Sequence, residues 1–106
     1  MIMKIVITTT GDREKAEQMA RDLLNSGLSP CVNIIDSVTS IYFWNNQINR
    51  DKENILLIKT ERPEMVRDFI EKNHNYDVPE IIFVNGEIPP SKYRSWFQEY
   101  FENFKS

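Results

Sequence analysis

The sequence contains one cysteine, one histidine and three glycines in 106 residues. Cys31 alone cannot close an internal disulfide, and no Cys/His spacing of the zinc type exists. A reducing compartment fits. One histidine leaves little room for general acid–base catalysis. There is no Gly-rich phosphate loop and no GxSxG elbow, so no motif supports a hydrolase and no enzymatic activity is expected. Basic charge is not in excess either: the net charge of −3 argues against a nucleic-acid partner. No apolar run approaches the ~20 residues that would span a bilayer. "MIMKIVITTT" carries a single basic residue and a short apolar run, and reads as a first strand rather than a signal peptide. A cytoplasmic protein without a membrane partner is expected.

What remains is ordinary globular composition, 41% hydrophobic and 27% charged. A single domain over 1–106 is expected, long enough to bury roughly 65% of its unfolded surface in one core. Residues 2–9 are β-branched and apolar, hence a strand. Ala16, Met19, Ala20, Leu23 and Leu24 then recur on one helix face, and Gly27 stands where a left-handed cap would end that helix. Pro30 opens "CVNIIDSVTSIYFW", a strand by composition. Asn45-Asn46 suits a two-residue hairpin turn, with "QINRDKENILLIKT" as the return arm. Met65, Val66, Phe69 and Ile70 mark a second helix begun by Pro63. "VPEIIFVN" at 78–85 reads as another strand. Tyr93, Trp96, Phe97, Tyr100, Phe101 and Phe104 form the aromatic stripe of a third helix, for the core or for a subunit contact. The fold class is therefore α+β: a ferredoxin-like β-α-β-β-α-β order plus a C-terminal helix, with an antiparallel sheet. Six basic and six acidic residues interleave over 49–72, the pattern of a solvated face.

One length stands out. The 14 residues from Cys31 to Trp44 would span about 46 Å when extended. A compact body of this size has a diameter of roughly 35 Å. The hairpin must bend, overhang the body, or both, and "IDS" at 35–37 offers a bulge. An overhanging arm carrying Ile41, Tyr42, Phe43 and Trp44 invites pairing with another copy of the chain. A homo-oligomer is expected; a bent hairpin covering itself in a monomer is the alternative.

Few residues carry chemistry. His74, in "HNYDVPE", is a metal-ligand candidate with Asp77 and Glu80 nearby. Its alternatives are a solvated helix-end residue and a hydrogen bond at a subunit contact. Cys31 is either a soft ligand or a small buried hydrophobe. "TTTGD" at 8–12 could hold an anion, but Asp12 and Glu14 would repel one, which favours helix capping. Lys59, Tyr76, Glu80 and Trp44 form either an ion pair shielded by aromatics or a small-ligand cleft.

"CVNII", "VTSIYFW", "ENILLIKT" and "HNYDVPEII", before a Trp-bearing last helix, resemble the CutA divalent-cation-tolerance family in order and over roughly residues 4–101. The resemblance implies a homotrimer built through long protruding hairpins. It also implies a role in divalent-cation tolerance and the response to metal ions, with weak Cu²⁺ binding and no required cofactor. The family's cleft positions fall on Tyr42, Trp44, Lys59, Tyr76, Glu80 and Trp96. Its copper positions fall on Thr8, Asn73 and His74, so His74 is the candidate metal ligand. Partners implied are a second and third copy of the chain, a divalent ion such as Cu²⁺, or a small molecule. The alternative is a signalling trimer similar to the PII proteins, binding a small anionic or aromatic ligand between subunits.

Overall fold

A computed structural model describes residues 1–104; the last two positions of the expected 1–106 domain lie outside the described residues. Seven elements follow in order: β1 (Ile2–Thr10), α1 (Arg13–Asn25), β2 (Cys31–Trp44), β3 (Gln47–Thr60), α2 (Pro63–Asn73), β4 (Ile82–Glu87) and α3 (Lys92–Asn103). The strands form one antiparallel sheet in the order β2-β3-β1-β4.

Local chemistry sets most element ends. Asp12 caps α1 by accepting the Glu14 amide at 2.8 Å, so the "TTTGD" turn serves its own helix. At the other end Gly27 has φ +78°, and the Leu28 amide reaches back to the Leu23 carbonyl at 3.1 Å, which satisfies a terminal helix acceptor. Pro63 lies in the first turn of α2, where no amide donor is needed. Ser91 caps α3 by accepting the Arg94 amide.

The strand pleat divides the core in two. Val6 of β1 with Leu56 and Ile58 of β3 meets Ala16, Met19 and Leu23 of α1 and Val66 and Ile70 of α2. Alternate residues point to the opposite face. There Met3 and Ile5 meet Ile88 and the Phe97–Phe101 ridge of α3. The aromatic stripe of α3 is thus only half used. Phe97 and Phe101 are buried against Met3 and Ile88, while Tyr93, Trp96 and Phe104 stay exposed.

β4 differs from its expected span. It runs over 82–87 rather than 78–85, paired from Ile7↔Ile82 to Ile2↔Glu87. Pro79 has no amide to give a ladder, and residues 78–81 leave the sheet before it.

The hairpin both bends and overhangs. Its pairing with β3 shifts between Ile35 and Val38, with Ser37 at φ 56°. Arg13 of α1 pairs with Asp36 and ties the bulge to the body. Beyond it the ladder continues to Trp44↔Gln47, closed by Asn45 and Asn46 at φ 53° and 60°, the left-handed pair that a type I′ turn requires. The long axis reaches 46 Å against 25 and 21 Å for the others. Ile41, Phe43 and Ile48 on the overhang are 67–75% exposed.

If α3 is part of the core and not an appendage, Phe97→Ala should cost about 3–5 kcal/mol in urea unfolding. A loss below about 1 kcal/mol would show that the sheet stands without it.

Candidate functional site

The chain turns out of α2 at His74, and this residue fixes the course of the segment after the helix. Its backbone amide closes the helix on the Ile70 carbonyl at 2.9 Å. Its ring Nδ1 accepts the Tyr76 amide at 3.0 Å. Nδ1 must then carry the lone pair, so Nε2 carries the proton and donates to the Thr9 carbonyl at 2.6 Å. The imidazole therefore bolts the 74–80 segment to the end of β1. The Tyr76 ring packs against it, with centroids 4.5 Å apart.

Tyr76 in turn donates to Glu53 Oε2 on β3 at 2.9 Å. Its hydroxyl passes so close to Gly11 that a Cβ there would lie 2.9 Å from it. Glu53 is the one acid of the 49–72 stretch that is buried, at 8% exposure, because the Tyr76 segment closes over it. The expectation of a solvated face fails at this residue.

A cleft of about 620 Å³ opens beside this contact, under the overhang of the hairpin. Thr9, Glu53 and Tyr76 line its inner part. Ser40, Ile41, Tyr42 and Trp44 of β2 and Asp51 of β3 form one wall, and Asp77, Val78 and Glu80 the other. Tyr42 donates to the Asp51 carboxylate, which raises its phenol pKa, with burial second. Burial, and then the hydrogen bond to Glu53, likewise hold the Tyr76 hydroxyl protonated well above the ordinary phenol range. Partial burial, then the charge of Glu53, raises the carboxyl of Glu80.

Of the six cleft residues expected, the structure brings together Tyr42, Trp44, Tyr76 and Glu80. Lys59 lies six residues along β3 from Glu53, roughly 20 Å at strand spacing. Its Nζ reaches Cys31 Sγ at 3.8 Å. No ion pair joins Lys59 to Glu80 among the described residues. Trp96 sits on α3 beside Tyr93, with ring centroids 5.6 Å apart. Asp51, Glu53 and Gly11 were not picked out from the sequence. The two acids were hidden in an alternating-charge run, and the glycine in a capping turn.

The copper positions gather no ligand set. Thr8 is fully buried, and its hydroxyl has no partner among the described residues. Asn73 donates its amide to the Phe69 carbonyl at 2.8 Å. Both ring nitrogens of His74 are engaged, and no group of three His, Cys, Asp or Glu among the described residues could hold an ion. These residues do not fit a dedicated copper centre.

The model of the CutA1 divalent ion tolerance protein family matches residues 4–100. The chain belongs to that family. Among curated relatives, the divalent-cation tolerance protein CutA of Thermus thermophilus is 32% identical over 98 residues, covering 91% of this chain and 95% of that one. A chloroplastic CutA of Arabidopsis thaliana is 32% identical over 96 residues, covering 89% of this chain. The chain spans about half of that relative's length, 53%. The solved structure of the Thermus thermophilus Cut A1 superposes with a TM-score of 0.85 at 31% identity, covering 94% of this chain and 98% of that one. The four-stranded antiparallel sheet with three helices is thus the CutA1 fold.

The raised carboxyl of Glu80 has a signed consequence. The folded protein keeps that proton to a higher pH than the unfolded chain does. The associated stability is complete below the ordinary carboxylate range and is lost as pH rises through the raised value. Glu80→Gln should therefore melt higher than wild type at neutral pH, by less than about 1 kcal/mol given its exposure. The two should converge in acid. A constant offset between their melting curves from pH 3 to 8 would contradict this.

Proposed function

We propose that this chain serves divalent-cation tolerance as a non-enzymatic homotrimer joined through its β2–β3 hairpins. The single observation that carries the assembly is the overhang. A paired arm extends past the bulge with Ile41, Phe43, Trp44 and Ile48 uncovered, and its outer strand β2 is a sheet edge. An exposed apolar arm with a free sheet edge is a ready template for pairing with another chain. The lone, partly buried Cys31 fits a reducing compartment, and a cytoplasmic location belongs to the proposal. Size exclusion with light scattering should return three times the 12.6 kDa chain mass. A clean monomer at micromolar concentration would remove the trimer.

Metal binding enters as a weak interaction. A Cu²⁺ ion taking His74 as donor would have to displace the Tyr76 amide from Nδ1, which sets a cost on binding. Calorimetric titration with Cu²⁺ should give weak heat in wild type and none in His74→Ala. The variant also loses two hydrogen bonds, worth about 1 kcal/mol each. The comparison is therefore made at a temperature where circular dichroism shows both proteins folded. Superimposable isotherms would take His74 out of the site.

The small-ligand reading is favoured by the cleft itself, whose volume lies within the 300–1,000 Å³ usual for small-molecule sites. Lys59, the cation that an anionic ligand would need, is not among its lining residues. The signalling-trimer form of this reading has no support in the relatives' names.

A further inference from the structure

We infer that the cleft beneath the hairpin is a site for an organic cation, a primary diamine or a related alkylammonium, rather than for an anion or a bare metal ion. This rests on reading the cleft as a ligand site and is independent of the proposal for His74.

The charge around the cleft decides its sign. Four carboxylates line it, from Asp51, Glu53, Asp77 and Glu80, and among the described residues of the chain no Lys, Arg or His does. The ion pairs among the described residues, Arg13 with Glu17 and Asp36 and Arg67 with Asp68, involve none of the four. Glu53 is buried, and its hydrogen-bond donor there is the neutral Tyr76 phenol, not a cation. A buried carboxylate without a counter-charge is costly, and a bound cation removes that cost. Glu80 faces the same acid: its carboxyl is raised first by partial burial and second by the charge of Glu53.

The size and spacing decide the kind of cation. No three of these carboxylates converge closely enough to share a metal ion. The volume instead admits a chain with separated charges. Between the acids stand the aromatic faces of Tyr42, Trp44 and Tyr76 and the apolar side chains of Ile41 and Val78. Aromatic faces attract ammonium groups through the ring quadrupole, and apolar walls cover methylenes. Ammonium groups at the acids, with the carbon chain against Trp44 and Val78, match this arrangement. Ile41 and Trp44 also belong to the arm proposed to meet a neighbouring chain, so the same chemistry could be supplied by a free amine or by a lysine of that second copy.

Putrescine is the probe, titrated calorimetrically into the intact protein in chelator-treated, metal-free buffer, with the dianion glutarate as its counterpart of similar length. Putrescine should bind and glutarate should not. Glu80→Gln and Asp51→Asn should each weaken putrescine by about tenfold while leaving circular dichroism unchanged. Light scattering on the same samples separates the sources. An unchanged mass identifies a free amine as occupant, and a putrescine-driven fall in mass identifies a displaced lysine of a second copy; either supports a cation site. Absence of putrescine binding, binding that neither variant weakens, or tighter binding of glutarate would overturn the inference. Because the buffer holds no metal, none of these outcomes depends on Cu²⁺ binding at His74.

Discussion

The β2–β3 hairpin is longer than the body that carries it, and much of the structure answers to that mismatch. Two 14-residue strands cannot lie within the roughly 35 Å of a compact domain of this size. The bulge at Ile35–Val38 bends the ladder, and Arg13 holds the bent region against α1 through Asp36. The remaining ladder projects and carries the long axis to 46 Å. Its projection creates the overhang under which the cleft opens, and it also leaves Ile41, Phe43, Trp44 and Ile48 exposed.

The second constraint is the bolt at His74. Residues 74–80 leave the helix as an irregular segment, anchored at its start by this imidazole and further on by Tyr76. The imidazole joins the Thr9 carbonyl to the Tyr76 amide and places the Tyr76 ring. The Tyr76 hydroxyl then reaches Glu53, and an acid in an otherwise solvated stretch becomes the floor of a cleft. A residue that looks like a metal ligand in the sequence is here a structural pivot between helix, sheet and site. Its two nitrogens are already in use, which is the physical reason that metal binding at this position is expected to be weak.

Periodicity made the seven elements legible. Ala16, Met19 and Leu23 of α1 and Val66 and Ile70 of α2 are buried as their spacing predicts, because each helix has one sheet face to cover, while Leu24 and Met65, expected on the same faces, are exposed. The Asn45-Asn46 turn and the Gly27 cap were also legible, since few residues tolerate positive φ. The start of β4 was not. Residues 78–81 have strand composition, but where a ladder begins depends on the partner strand and on the course taken by the preceding segment. Nor could the stripe of α3 reveal that only Phe97 and Phe101 would be buried, because which aromatics are covered depends on where Met3 and Ile88, distant in sequence, come to lie.

The site divides in the same way. Tyr42, Trp44, Tyr76 and Glu80 could be named from the sequence, since family resemblance marks positions one residue at a time. Their grouping with Asp51 and Glu53, and the placing of Lys59 beside Cys31, came from strand register and from one chain reversal at His74. By itself the sequence determined the element order, the caps and turns, the overlong hairpin and the family, because these depend on local propensity and on order along the chain. Only the tertiary structure decided the sign of the cleft. Net electrostatic character depends on which charges are brought within a few ångströms of one another, and residues as distant in sequence as Glu53 and Tyr76 are neighbours only after folding.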